Sequence, residues 1–163
     1  MRHLILGLLL VMPNIALGKA KLPFSLPQMN GNGGMFNSAD HPNSVFVVEA
    51  YFEECPYCNE NSDNIQRLTT RFVGKDVQIL DVGIDRDKSS YEAWIQNHAP
   101  NHPVLQDSSR VLLSGDLKTS SFPTTYVVQC DGEVLYKQVG VWNSGSRINV
   151  EQAMLKGLNK RCQ

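Results

Sequence analysis

The stretch that decides the fold is Val45-Phe46-Val47-Val48-Glu49-Ala50-Tyr51-Phe52, which leads through two glutamates into Cys55-Pro56-Tyr57-Cys58. Its first part is an almost unbroken apolar run, typical of a strand that is buried on both faces of a sheet. Pro56 suits the first position of a helix, and apolar residues then recur at helical spacing until Gly74. The sequence therefore predicts a buried strand followed by a helix that begins at the first cysteine.

The two cysteines have the spacing that thiol–disulfide exchange requires. Exchange needs one thiolate to attack a substrate disulfide and a second sulfur to resolve the mixed disulfide that forms. At the helix start, unpaired backbone N–H groups and the positive end of the helix dipole lower the pKa of a thiol. We therefore predict that Cys55 is an accessible attacking nucleophile and that Cys58, one turn further on, is the shielded resolving thiol.

Glu49 places a carboxylate inside the apolar strand. An ionised carboxylate is costly there unless it has a partner. We predict that desolvation raises the pKa of Glu49 and that its carboxyl group exchanges a proton with Cys58 during resolution. The alternative is an edge position from which the carboxylate points into water.

Strands and helices alternate along the rest of the chain. Residues 22–44 predict an N-terminal hairpin with a turn at 30–34, residues 77–82 predict a strand, and Ser89 with Glu92 predicts a capping box for the next helix. The further elements are an extended piece at 104–105, a short helix at 109–113, a hairpin of strands 124–129 and 134–141, and a last helix capped by Asn149 and Gln152. This order predicts an α/β fold of three layers, with helices on both faces of a central mixed sheet and an N-terminal β extension.

Residues 1–20 predict a secretory signal, because Arg2 precedes an apolar run and small residues offer cleavage after Gly18 or Ala20. The alternatives are an uncleaved anchor or a buried first strand. Residues 21–163 then form one domain, and export to the periplasm or beyond places the cysteines where disulfides persist. A net charge of -1 in 163 residues argues against a nucleic-acid partner.

Pro123 opens the predicted strand at 124–129, where a missing N–H group is tolerated. A cis bond at this position would turn a backbone edge toward the two sulfurs.

Five ordered segments resemble the thioredoxin superfamily, and most closely its exported TlpA/ResA-like branch. The resemblance runs from about Leu22 to Lys160. The matching segments are Phe24-Ser25-Leu26-Pro27, the strand into Cys55-Pro56-Tyr57-Cys58, Pro103-Val104-Leu105-Gln106-Asp107, Phe122-Pro123-Thr124-Thr125-Tyr126-Val127-Val128, and Asp131-Gly132-Glu133 through Val139-Gly140.

The resemblance implies a thioredoxin-like fold and the roles of several residues. Cys55 attacks and Cys58 resolves, Glu49 assists proton transfer, and Pro123 is cis and helps to bind the client chain. We assign client binding also to Pro56, Tyr57 and Phe122.

The resemblance also implies an exported protein thiol–disulfide oxidoreductase without a cofactor, acting on client proteins with cysteine pairs. Glu53 and Glu54 precede Cys55 and oppose its thiolate by like-charge repulsion. We expect a monomeric reductase with a membrane electron donor, and a disulfide oxidase or isomerase with a membrane electron acceptor is the alternative.

In a thioredoxin-like topology Cys130 and Cys162 both reach the end of the sheet that lies away from the active cysteines. We predict a structural disulfide between them, and two free thiols are the alternative. A function of another class is a copper carrier that holds the ion through paired thiolates. His98 and His102 have the spacing of a helical metal pair, but Pro100 breaks such a helix, so we predict a surface loop and no metal site.

Overall fold

The apolar strand ahead of the cysteines is the central strand of a five-stranded sheet. The computed structural model describes residues 18–162. Its strands are β1 (Ser25–Pro27), β2 (Met35–Asn37), β3 (Val45–Tyr51), β4 (Val77–Gly83), β5 (Val104–Gln106), β6 (Thr124–Val128) and β7 (Val134–Val139), and its α-helices are α1 (Pro56–Arg71), α2 (Lys88–His98) and α3 (Ser144–Leu158). The large sheet has the order β5-β4-β3-β6-β7, while β1 and β2 form a separate antiparallel hairpin.

The sheet is mixed, as the sequence predicts. β3 runs parallel to β4, and β4 parallel to β5, whereas β6 is antiparallel to both β3 and β7. Every residue of β3 is buried, which explains its continuous apolar run. The carboxyl end of β3 leads to the cysteines, and β6 begins at that same end of the sheet.

Two apolar layers cover the faces of the sheet. One face packs against α1 and α3, and its buried side chains include Val47, Ile65, Val127 and Met154. The other face packs against the β1–β2 hairpin and a π-helical segment, Val111–Asp116. The predicted three-layer α/β fold and its N-terminal β extension are confirmed.

The N-terminal end of the described chain pairs with the turn between β6 and β7. Lys19 forms a β-bridge with Glu133, and the Ala20 amide donates to the Gly132 carbonyl at 2.8 Å. Ala20 is 2% exposed and belongs to the core. Gly132 has a φ of +89°, and a Cβ atom added there would clash with the Ala20 carbonyl oxygen, so this turn requires glycine.

The predicted N-cap residues of α2 and α3, Ser89 and Asn149, are both wrong. Asp87 precedes α2, and Ser89 lies inside the helix. The start of α3 is capped by Asn143, whose side chain accepts the Ser146 amide at 2.9 Å, and Asn149 lies inside that helix. At this start the Asn143 side chain satisfies a backbone amide of the first turn that has no partner within the helix.

The predicted short helix at 109–113 lies two residues further along the chain, as the π-helical segment. Asp107 organises its start, since its carboxylate accepts the amides of Val111 and Leu113. Among residues 18–162, no helix has the length and apolar character needed to cross a bilayer.

Candidate active site

The two cysteines of the C-x-x-C pair form a disulfide at the start of α1. Their Cα atoms are 5.2 Å apart. Cys55 is the N-cap residue, Pro56 follows it in the first turn, and the Cys58 amide donates to Cys55 Sγ at 3.1 Å. This amide is one of the free N–H groups at a helix start, and it stabilises negative charge on the Cys55 sulfur once the disulfide is reduced.

Exposure does not distinguish the two cysteines in this oxidised form. Cys55 is 2% exposed and Cys58 is 1% exposed. The accessible Cys55 expected from the sequence is thus covered, because Phe52, Phe122 and Met29 pack against the cluster that holds both residues. Tyr57, by contrast, is 64% exposed, and Pro56 beside it is also exposed.

Pro123 lies at the start of β6, and its peptide bond with Phe122 is cis. The Phe122 ring meets the Phe52 ring edge to face, with centroids 5.6 Å apart. The two aromatics form one wall of an open cavity of about 500 Å³, whose other lining residues are Ile84, Asp85, Arg86 and Arg110. Phe52 and Phe122 also pack against the buried cluster that holds both cysteines.

Glu49 is 3% exposed, so the alternative of an edge position in water is wrong. Asn61 Nδ2 donates to Glu49 Oε1 at 2.8 Å, and the Thr125 hydroxyl donates to Oε2. Burial raises the pKa of Glu49 to about 8, although the two hydrogen bonds oppose the shift, and the nearby Asp81 carboxylate adds to it. The predicted direction and cause of this pKa shift are confirmed.

The residues that hold Glu49 were not predicted from the sequence. Asn61 follows Cys58 by one helical turn, and its Oδ1 accepts the Trp142 amide at 3.0 Å. Trp142 Nε1 in turn donates to the Thr125 hydroxyl oxygen at 2.7 Å. A polar residue three positions after Cys58 was the one available signal, since it shares a helix face with the cysteine.

Carboxylates surround the loop between β3 and α1. The Glu53 amide donates to Asp85 Oδ2 at 3.0 Å, and Glu54 is exposed beside them. Burial raises the pKa of Asp85, and Glu54 contributes to the rise by like-charge repulsion. The two acids seen in the sequence are therefore joined by a third acid from the end of β4.

His102 does not lie in a surface loop, contrary to the prediction. It is 7% exposed, and its ring contacts the buried Asp81. His98 ends α2 and contacts α1, with Nε2 at 2.6 Å from Asn59 Oδ1. Within residues 18–162, no three or more His, Cys, Asp or Glu side chains converge as they do around a metal ion.

Cys130 and Cys162 form a second disulfide, with their Cα atoms 5.9 Å apart. Cys130 follows the carboxyl end of β6. Because β6 is antiparallel to β3, this end of the sheet is the one remote from Cys55. The disulfide ties the segment after α3 to the turn between β6 and β7.

Three solved structures with similar folds are bacterial proteins described as thiol–disulfide proteins. A candidate thiol:disulfide interchange protein DsbE from Chlorobium tepidum superposes with a TM-score of 0.74 at 19% identity, covering 86% of this chain and 96% of that one. A secreted Mycobacterium tuberculosis disulfide oxidoreductase, homologous to E. coli DsbE, has a TM-score of 0.65 at 15% identity, with coverages of 83% and 96%. A thiol-disulfide oxidoreductase from Bacteroides fragilis gives 0.68 at 17% identity, with 84% and 99% covered. At these identities the likeness establishes the thioredoxin-like fold.

No curated protein matches the chain. Residues 16–154 match the Redoxin family, a span that includes β1 to β7 and both active cysteines. A family match over most of the chain agrees with the Cys55–Cys58 disulfide at a helix start and with the thioredoxin-like sheet. The chain therefore belongs to the Redoxin family and is a thiol–disulfide oxidoreductase.

Proposed function

We propose that the protein is an exported reductase of disulfides in client proteins. The observation that carries the exchange chemistry is the Cys58 amide, which lies 3.1 Å from Cys55 Sγ at the N-terminus of α1. In the reduced protein this amide favours a thiolate on Cys55, the attacking form. The wall of Phe52 and Phe122 beside Pro123 is the surface on which a client chain would lie, together with the exposed Pro56 and Tyr57.

The exchange proceeds in two steps. The Cys55 thiolate attacks a client disulfide, forms a bond to one client sulfur and releases the other as a thiolate. Cys58 then gives its proton to Glu49 and attacks Cys55 Sγ, which forms the Cys55–Cys58 disulfide and releases the second client thiolate. Glu49 holds that proton in the oxidised protein, in accord with its pKa of about 8.

The carboxylates near Cys55 support the reducing direction. Glu53, Glu54 and Asp85 disfavour a thiolate on Cys55, which destabilises the reduced form of the couple relative to the disulfide. A couple of this kind gives up its electrons readily to client disulfides. A membrane protein would restore the dithiol, and the protein would work as a monomer.

The reduction potential of the Cys55–Cys58 couple tests this direction. We expect a value near about -270 mV, and a value near about -120 mV would instead identify a disulfide oxidase. The double substitution Glu53→Gln and Glu54→Gln should raise the potential by about 10–30 mV, because it removes the repulsion. Glu133→Gln, in the remote turn, is the matched control and should leave the potential unchanged.

Insulin reduction separates this function from metal carriage. The wild-type protein with an external dithiol should reduce insulin, and Cys55→Ser should abolish the activity. Tight copper binding without any exchange activity would overturn the proposal in favour of the copper carrier.

We also propose that the signal is cleaved after Gly18. Residues 1–17 lie outside the described part of the chain. Of the two predicted sites, cleavage after Ala20 would remove a core residue and the Lys19–Glu133 bridge, whereas cleavage after Gly18 keeps both. N-terminal sequencing of the exported protein should begin at Lys19, and a start at Lys21 would overturn this choice.

A further inference from the structure

Trp142, in the loop between β7 and α3, holds both residues that hydrogen-bond to Glu49. Its backbone amide donates to Asn61 Oδ1 at 3.0 Å, and its indole Nε1–H group donates to the Thr125 hydroxyl oxygen at 2.7 Å. Asn61 and Thr125 in turn donate to the two carboxyl oxygens of Glu49. The four residues therefore form a closed ring of hydrogen bonds, and none of them is more than 6% exposed. The exchange steps described above use Glu49 but not Trp142.

The two N–H groups of Trp142 fix the direction of the bonds in this ring. A backbone amide and an indole nitrogen can donate a hydrogen bond but cannot accept one. Asn61 must therefore present its carbonyl oxygen to Trp142, which directs its NH2 group at Glu49. The Thr125 oxygen accepts the indole N–H group, so the single hydroxyl proton is donated to Glu49 Oε2.

A second chain of donors gives Asn61 the same orientation. Arg147 Nη2, on α3, donates to Asn64 Oδ1 at 3.1 Å, and a guanidinium group has no acceptor atom. Asn64 consequently turns its NH2 group to Asn61 and donates to Oδ1 at 3.0 Å. Because Asn61 Oδ1 receives two hydrogen bonds, its NH2 group is left for the Glu49 carboxyl group.

The ring favours the ionised form of Glu49. Hydrogen bonds donated to both oxygens of a carboxyl group stabilise its negative charge. They oppose the effect of burial, which raises the pKa of Glu49. A carboxyl group can take the proton of Cys58 only when it is ionised beforehand, so these donors serve the proton transfer.

We propose that Trp142 is a positioning residue for Glu49, which directs the Asn61 and Thr125 donors at the carboxyl group and thereby keeps it able to accept a proton from Cys58. Trp142 acts through these two residues. Its effect on exchange rests on the proton transfer proposed above.

Several other titratable or charged groups lie around the ring. They are Tyr51 on β3, Asp81 on β4, Cys58 on α1, His98 on α2, His102 before β5 and Arg147 on α3. Asp81 is on β4 and Thr125 on β6, which flank β3 on opposite sides. Within residues 18–162, no group of this set hydrogen-bonds to Thr125 or Trp142, so substitutions at those two positions change the donors of Glu49 and remove no charge.

A carbon-13 NMR titration of the Glu49 carboxyl group tests the proposal in the oxidised protein, without any client. Trp142→Phe removes the indole N–H group, so the Thr125 hydroxyl is free to accept the proton of a neutral carboxyl group. The Glu49 midpoint should rise by about half a pH unit, a threefold gain in proton affinity. Tyr126→Phe is the matched control, because the buried Tyr126 hydroxyl bonds to Thr119 on the other face of β6. An unchanged midpoint in Trp142→Phe, or equal shifts in both variants, overturns the proposal.

Substitutions of Thr125 test the next bond of the ring. Thr125→Val keeps the shape of the side chain but removes the hydroxyl group, so the Glu49 midpoint should rise by about one pH unit, a tenfold gain in proton affinity. Thr125→Ser retains the hydroxyl group and should restore the wild-type midpoint. If Thr125→Val and Thr125→Ser titrate alike, the hydroxyl group does not act on Glu49 and the proposal fails.

The wild-type protein provides a test that does not depend on the folding of any variant of the ring. The nitrogen-15 and proton NMR signals of the Trp142 indole N–H group should shift with pH at the midpoint of Glu49, because Thr125 joins the two groups. An indole signal that stays constant through the Glu49 titration would show that the ring does not connect them.

The same variants separate this inference from the proposed exchange step. If Trp142→Phe and Thr125→Val raise the Glu49 midpoint but leave the pH profile of resolution unmoved, Trp142 positions Glu49 and Glu49 takes no part in resolution. A shift of both the midpoint and the profile to higher pH supports both proposals.

Discussion

Glu49 is a buried carboxyl group whose proton affinity follows from its surroundings. The apolar neighbours in β3 are enough to predict a raised pKa from the sequence, since burial is the largest cause. The hydrogen-bond partners of the Glu49 carboxyl group could not be predicted from the local sequence. Asn61 and Thr125 are 12 and 76 residues away along the chain, and only the packing of α1 and β6 against β3 brings them to the carboxyl group.

The raised pKa makes the stability of the fold depend on pH. Folding raises the pKa of Glu49 from 4.5 to about 8. Between these values the folded protein holds a proton that the unfolded chain releases, so the free energy of unfolding falls as the pH rises. Glu49→Gln removes this dependence, and from pH 5 to pH 9 its stability relative to wild type should improve by roughly 3–5 kcal/mol.

Urea unfolding of the oxidised proteins at pH 5, 7 and 9 measures this difference. Glu60→Gln removes an exposed acid of α1 and is the control, whose stability should run parallel to that of the wild type. Parallel curves for Glu49→Gln and wild type would contradict the assignment of a raised pKa.

Among the secondary-structure elements, β3 and α1 could be predicted from local sequence patterns alone. A continuous apolar run, a proline at the first helical position and helical spacing of apolar residues all lie within one segment. The predicted start of α3 at Asn149 is too late, because the helix is capped by Asn143, six residues earlier. The structure selects Asn143, which leaves Ile148 and Asn149 exposed on the helix surface.

Replacement of the N-cap residue tests this boundary. Asn143→Ala removes the acceptor for the Ser146 amide, so the protein should lose about 1 kcal/mol of stability. Asn149→Ala should change stability by less than about 0.5 kcal/mol, because Asn149 is an exposed residue inside the helix. Thermal and urea unfolding of the two variants measure the difference. Equal losses would contradict the assignment of Asn143 as the cap.

At the scale of the whole molecule, the order of strands and helices predicted the mixed sheet and its two covered faces. The burial of His102 could not be predicted, because it depends on the N-terminal hairpin. Asn30, in the hairpin turn, donates to the His102 carbonyl at 2.7 Å and accepts the Val104 amide at 3.0 Å. These contacts join segments more than 70 residues apart, and no pattern within either segment indicates the other.

The disulfide between Cys130 and Cys162 stabilises the molecule at the end remote from the active cysteines. Replacing both residues with alanine should lower the free energy of unfolding by about 3–4 kcal/mol, the loop-closure effect of a cross-link over 32 residues. Insulin reduction by the folded variant should match the wild type, because Cys55 and Cys58 are untouched. A loss of exchange activity in a variant shown to be folded would contradict a purely structural role.

Trapping of a mixed disulfide shows directly whether Cys55 attacks the client and Cys58 resolves the intermediate. Reduced Cys58→Ser protein, mixed with insulin, should accumulate a covalent adduct that dithiothreitol reverses, and peptide mapping should place the link at Cys55. Cys55→Ser should form no such adduct. An adduct through Cys130 or Cys162, or equal trapping by the two variants, would contradict these roles of Cys55 and Cys58.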